Sequence, residues 1–455
     1  MKNPGIIILI CFNISINLFS QNPIIKHIYT ADPTARVYNG KLYIYPSQDI
    51  AWNKEWEKLG AEKETNGHVM TDYHAFSTTD MINYTDHGVI VAQKDVPWGN
   101  KVGYGMWAPC ITYKNGTYYY YFPNKPADKS GFRQIGLATA TNPEGPFSIE
   151  PNYIQGLKGI DPNPFIDDDG QAYMYWGGGK GNSLKGVKLS DDMKSVNGQA
   201  ILIKDLPQEY KEGPFVFKRN GMYYLTFPHN RDTKNSTEEI GYAISKNPLG
   251  PFEYKGTIMD RFEDCWTNHQ SIVQYKKQWY MFYHHNNISK VGSLRSVCVD
   301  SLFFNKDGTI QKVIPTLRGV GVHQATDTIH MDRYSKIYNA EIDFIKGVGI
   351  PEWKVTNTKP ESWVQYNSVN FTTKTKYAKL QLLSSSKKAS IEIRENSPTG
   401  KIIGTAKVFN TNGKWKTINA KMNYQPIGKK NIVCLFKSEK ENEIELDWIF
   451  FSKSN

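Results

Sequence analysis

The sequence is short of cysteine, of clustered basic residues and of helical periodicity, and each shortage removes a class of protein. Five cysteines occur in 455 residues, one of them Cys11 near the start. The other four, Cys110, Cys265, Cys298 and Cys434, are far apart with no CxxC spacing, so no zinc or redox motif is present. They read as isolated buried thiols, although an oxidising compartment would permit one disulfide. The formal charge is +11, yet the lysines are scattered and no arginine cluster or basic helix appears, which excludes nucleic acid as the expected partner. A general lysine and asparagine bias explains much of that charge. The remainder hints at an anionic glycan, attracted at long range.

Hydrophobic runs are also short. Residues 1–20, "MKNPGIIILICFNISINLFS", carry an early Lys and an apolar run too short to span a bilayer. They read as a secretory signal peptide cleaved near Ser20, so a secreted or periplasmic location is expected. A lipoprotein anchor at Cys11 fits less well, because Ile10 replaces the small residue expected before it. No later stretch is long and apolar enough for a membrane helix. "DDDG" at 167–170 lacks the spaced ligands of a calcium loop, and "GGGKG" at 177–181 lacks Walker spacing; both read as turns or loops. His284-His285, with no third ligand in view, reads as structural or rim.

Aromatic residues are plentiful, with 28 Tyr and 11 Trp, and aromatic faces stack on sugar rings or bases. Many of them fall in a repeat. "YNGKLYIYP" at 38–46, "KNGTYYYYFP" at 114–123, "DDGQAYMYWG" at 168–177 and "RNGMYYLTFP" at 219–228 share a turn followed by an aromatic strand. "KKQWYMFYHH" at 276–285 is a weaker copy. Asn-Gly and Asp-Gly between period-two strands signal hairpins. A second element recurs between them, as in "IGLATATNPEGPF" at 135–147 and "IGYAISKNPLGPF" at 240–252. Each unit reads as about four strands over roughly fifty residues, and five such units without helices predict an all-β, five-bladed β-propeller.

Repeat phase then locates a site. About eight or nine residues before each hairpin turn, where the first strand of each unit begins, stand Asp32, Trp107, Asp161, Glu212 and His269. Innermost strands surround the channel of a propeller, so these five positions converge at one end of it. Two carboxyl groups facing each other across a sugar can cleave a glycosidic bond, one as acid and one as base. A third raises the acid's pKa by like-charge repulsion. The prolines of Asp32-Pro33, Asp161-Pro162 and Glu212-Gly213-Pro214 are expected to stiffen the backbone and to bias the residue before each.

"ADPTARVYNGKLYIY", "MWAPCITYKNGTYYYYF", "GIDPNPFIDDDGQAYMYWGG", "KEGPFVFKRNGMYYLTF", "NHQSIVQYKKQWYMFYHH" and "LRSVCVDSLFFNKDGTI" resemble, in order, the motifs of glycoside hydrolase family 43. The resemblance covers residues 24–318. It implies a five-bladed propeller with inverting chemistry and β-xylosidase, α-L-arabinofuranosidase or arabinanase activity. Carried over, it makes Asp32 the general base, Glu212 the general acid and Asp161 the group that tunes and orients the acid. Inversion would set the Asp32 and Glu212 carboxyls roughly 6.5–9.5 Å apart. His269 matches a family histidine at a hydrated calcium ion, held largely by water. Trp107 would wall the sugar pocket, or pack between blades; Arg295 would reach a sugar hydroxyl, or pair with a buried acid. No organic cofactor is implied.

Composition shifts after Arg318. Residues 319–333 read as a linker, and 334–455 carry alternating strands that predict a β-sandwich (jelly-roll) domain. "NAEID", "ESWVQYNSVNF", "ASIEIRENSPTGKIIGTAKV" and "IELDWIFF" resemble carbohydrate-binding module family 6. That resemblance implies a structural calcium at Glu341, Asp343 and Asp447. Two departures, a missing glycine-rich tyrosine loop at 349–363 and Glu445 where asparagine is common, favour a scaffold role over sugar binding. Trp415 is either a platform aromatic or core.

The resulting expectation is a monomeric, secreted exo-glycosidase that removes a terminal pentose from plant or algal oligosaccharides. β-D-xylose is the first choice and α-L-arabinofuranose the second; loops such as 47–72 and 124–133 set pocket shape. The rival of another class is a non-catalytic glycan-binding propeller.

Overall fold

The computed structural model describes residues 22–454 apart from 53, 55–67, 102–104, 129–131, 179–182, 205, 207–209, 211, 231–236, 263–264, 317–318, 321, 332–333 and 346–352. The expected leader, and parts of the linker and pocket loops, lie outside the described residues.

Four antiparallel sheets each contain four consecutive strands in chain order. The first runs Tyr29–Tyr38, Lys41–Asp49, Met70–Thr78 and Thr85–Ala92; the others begin at Cys110–Lys114, Ile160–Ile166 and Phe215–Arg219. The fifth has three strands, Ser271–Tyr275, Gln278–His285 and Ser296–Leu302. Its open edge is covered by the start of the chain. The Ile24 N–H donates to the Val297 carbonyl at 2.8 Å. The Asn22 side chain donates to Val299 O at 2.9 Å and accepts the Val299 N–H at 2.9 Å. An unpaired strand edge is thereby satisfied and the last blade is tied to the first.

The hairpins form as their turn residues dictate. Asn39-Gly40, Asn115-Gly116 and Asn220-Gly221 all have positive φ at both positions, as a type I′ turn requires. The fifth turn does the same with Lys276 at +46° and Lys277 at +68°. That costs roughly 1–2 kcal/mol per residue, and the lack of Asn-Gly makes this repeat the weakest copy in the sequence.

The propeller has no single central core. Five apolar clusters lie between consecutive blades, including one that joins Phe76 and Ile44 of the first to Phe282 and Val299 of the fifth. This leaves the axis free for polar strand starts.

The C-terminal residues form two facing six-stranded sheets around Val364, Tyr366, Leu380, Ile391, Phe436 and Leu446. Strand Tyr377–Ser384 alternates half-buried and buried residues along its whole length, as expected of a sheet with one face on a core. All four described cysteines are free and buried.

Candidate active site

Asp32 and Asp161 are aimed by their backbones. A residue before proline is expected to be extended, but both take left-handed φ, +51° and +55°. Each lies at a break in strand register, between Ala31 and Thr34 in one blade and opposite Tyr175 and Gly177 in another. Such bulges re-aim a side chain at the cost of local strain. Glu212 precedes the fourth blade's first strand and is followed by Gly213 at φ +59°. A Cβ on Gly213 would stand 2.7 Å from Pro228 Cδ and 3.1 Å from His269 Cε1, so both conformation and space demand glycine.

These residues converge. Asp32, Trp107, Asp161, Glu212, His269 and Arg295 line one pocket of about 90 Å³, together with His68, Met70, Ala108 and Thr267. The Gly213 N–H donates to Asp161 Oδ2 at 2.9 Å. The Gly213 carbonyl accepts from Gln270 Nε2 at 3.0 Å, linking the Glu212 corner to the residue after His269.

Arg295, 2% exposed, clamps the opposite side. Its Nε and Nη2 donate to the two carboxylate oxygens of Asp49, both at 2.9 Å. Its Nη1 donates to Asp32 Oδ1 at 3.1 Å and to Thr267 Oγ1 at 3.0 Å. Of the two readings of Arg295, pairing with buried acids is the one these distances describe, and its donors are taken up by that clamp. Asp32 Oδ2 accepts from Ser47 Oγ at 3.0 Å, and the Asp32 N–H donates to His284 Nδ1 at 3.1 Å. His284 Nε2 lies 2.9 Å from the Thr267 carbonyl, so its proton sits on Nε2.

The electrostatics separate the carboxyls. Burial pushes Asp32 up, but the Arg295 guanidinium, joined by His284 and His269, outweighs it, and Asp32 lies well below the usual carboxylate range. Asp161 moves the other way: burial raises it first, then the adjoining Glu212 charge, with the Gly213 N–H opposing. Burial lowers His269 and His68 to about 4, so both rings are neutral at neutral pH. Trp107 is half-buried, with the Arg133 guanidinium 3.2 Å from its ring centroid. Its C=O accepts from Tyr73 Oη at 2.5 Å. Asp49, His68, Arg133 and Thr267 were not picked out by repeat phase, because none of them begins a blade's first strand.

Removing Asp49 leaves Arg295 buried with half its partners. Asp49→Ala is expected to destabilise the propeller by about 3–5 kcal/mol, seen as a lower denaturant midpoint. Asp49→Asn, which keeps an acceptor, is expected to lose less.

Residues 20–310 match the family model for glycosyl hydrolases family 43. The chain belongs to that family. It is therefore a glycoside hydrolase, and the all-β propeller and sandwich agree with the expected fold. Residues 333–453 match carbohydrate binding module family 6. A xylosidase/arabinosidase 43A of Humicola insolens is 36% identical over 63% of this chain and 98% of its own length. Among solved structures, the arabinoxylan arabinofuranohydrolase of Bacillus subtilis in complex with cellotetraose has a TM-score of 0.73 at 27% identity. It covers 96% of this chain and 98% of its own. A β-xylosidase/α-arabinofuranosidase from a compost microbial metagenome, with xylotriose and in calcium-free form, has a TM-score of 0.57 at 35% identity. It covers 64% of this chain and 96% of its own.

The three residues that the resemblance assigns to a structural calcium, Glu341, Asp343 and Asp447, lie in one sheet of the family 6 domain. Among the described residues no three His, Cys, Asp or Glu side chains come together to hold a metal. Strand Trp353–Asn357 lies between the strand of Glu341 and Asp343 and the strand of Asp447. Lys354, opposite Asp343 in register, pairs with Glu445 at 2.8 Å. Asp447 lies 3.8 Å from His330 instead.

Proposed function

We propose that this family 43 enzyme is an inverting exo-glycosidase that releases a terminal pentose, β-D-xylose as first choice, from plant or algal oligosaccharides. The observation that carries the reading is one small pocket holding an arginine-clamped Asp32, the buried Asp161 and the half-buried Glu212. Two carboxyls in such a site cannot both ionise cheaply, so the pair keeps one proton above the usual range. The Gly213 N–H on Asp161 Oδ2 opposes the rise at Asp161, and the proposed assignment gives the pair's proton to Glu212.

In the proposed reaction Glu212 donates that proton to the glycosidic oxygen as the C–O bond breaks. Asp32, ionised, takes a proton from the water whose oxygen attacks the anomeric carbon from the opposite face. Configuration inverts, and solvent resets Glu212 and Asp32. Arg295 keeps Asp32 ionised and oriented, and Trp107 walls the sugar. The neutral His269 suits a hydrated calcium ion held mainly by water, which would add positive charge near the site.

The small pocket favours a single terminal sugar. α-L-Arabinofuranose is the second reading, because a solved relative that covers 96% of this chain is named an arabinoxylan arabinofuranohydrolase. Export rests on the pattern of residues 1–20, and an anionic glycan source on the net charge of +11. Turnover of aryl β-xyloside against aryl α-arabinofuranoside, with the product anomer followed by NMR, tests the proposal. Retained configuration, or no cleavage of any pentoside, would overturn it.

Asp161→Asn removes the negative neighbour that helps Glu212 keep its proton. The basic limb of the pH profile of kcat/KM should move to lower pH. A limb that stays in place would show that Asp161 does not tune the acid.

A further inference from the structure

Trp266 is an anomaly on this face. It is 45% exposed, yet the chain on both sides of it is anchored. Before it, Cys265 is buried and its thiol donates to the Thr267 carbonyl at 3.4 Å. Phe262 packs on His285 with ring centroids 4.1 Å apart and on Tyr283 at 5.8 Å. After it, Thr267 Oγ1 accepts from Arg295, and the Asn268 N–H donates to Glu238 at 2.9 Å. A rigid segment thus presents a large apolar ring to solvent rather than to the core.

The ring stands at the catalytic pocket. It meets His68, a pocket wall, edge to face, with centroids 6.3 Å apart and planes at 89°. Its chain neighbour Thr267 is another wall. Trp107 enters the pocket from the second blade and Trp266 reaches its rim from the entry to the fifth. An indole held on a rigid rim binds a ring at low entropic cost, because little has to be ordered on binding.

We propose that Trp266 is the stacking platform for the sugar on the leaving-group side of the scissile bond, a xylose unit. The inference rests on reading the pocket as a pentose site. It commits to xylose because a xylo-oligosaccharide, the substrate of the first reading, places xylose there. Trp266 would then set which glycans are cleaved, while the three acids set how.

The test uses the full chain with Trp266→Ala and Trp266→Phe. For xylotriose, Trp266→Ala is expected to lower kcat/KM about tenfold, ~1.4 kcal/mol, mostly through KM, and Trp266→Phe to restore most of it. Binding of free xylose, which needs only the inner pocket, should be unchanged. Equal losses for xylose and xylotriose, or no loss for either, would overturn the proposal. Calorimetric binding of xylotriose in a Glu212→Gln background decides the matter without turnover. Wild-type affinity in the added Trp266→Ala variant, or no xylotriose binding at all, refutes the platform. Failure of the parent enzyme to cleave any pentoside refutes the pentosidase reading separately.

Discussion

Glu212→Gln is expected to lower kcat on xylobiose by about 10³-fold, within the 10²–10⁴ range of a lost general acid, while dinitrophenyl β-xyloside loses less than tenfold. The contrast follows from the leaving groups. A sugar alkoxide cannot depart without a proton, whereas dinitrophenolate can. Glutamine keeps the size of the side chain but has no proton to give. The Gly213 N–H on Asp161 and the Gln270 amide on the Gly213 carbonyl stay in place, and glutamine matches glutamate in size, so the variant should fold as the parent does. The pH profile carries a second signature: the basic limb, which reports loss of the acid's proton, should disappear from the variant. Equal loss on both substrates would remove Glu212 from the role of donor. The proton would then have to come from another group lining the pocket, and Asp161 would be the next to test.

The five first-strand starts were legible because a repeat fixes phase, and phase fixes position around a channel even when residues are far apart in sequence. Asp32, Trp107, Asp161, Glu212 and His269 duly line one pocket. The partners that make it work were not legible. Asp49 ends the first blade's second strand, and His68 and Arg133 stand just before the third strands of the first and second blades, so the phase of the inner strands marks none of them. Local rules also misled at two acids: proline predicts an extended neighbour, and the bulges impose left-handed φ instead. The fifth blade was faint for two physical reasons. Its turn is Lys276-Lys277 rather than Asn-Gly, and its outer edge is completed by residues 22–25 from the other end of the chain. The module's calcium was expected from resemblance alone; its three proposed ligands stand on two strands of one sheet with the strand of Lys354 between them.

Asp32→Asn should abolish turnover more evenly, by about 10⁴-fold on every substrate, the upper end of general acid–base effects. Base catalysis acts on the attacking water, whose deprotonation is needed whatever leaves, so xylobiose and dinitrophenyl β-xyloside should fall together. This even loss, set against the uneven loss in Glu212→Gln, assigns the two roles without a bound ligand. The Arg295 clamp sharpens the test. Arg295 retains both oxygens of Asp49 and the Thr267 hydroxyl in the variant, and asparagine offers one acceptor to Nη1. Stability should therefore change less than in Asp49→Ala, while activity falls far more. The parent's acidic limb has the same origin. Because Arg295 holds Asp32 well below the usual carboxylate range, the base stays ionised as pH falls, and activity should persist to lower pH than an unpaired aspartate would allow. Conversely, Asp32→Glu keeps the charge but moves the carboxylate by a methylene, and should recover only part of the rate. Full activity in Asp32→Asn would leave the pocket intact and the mechanism wrong.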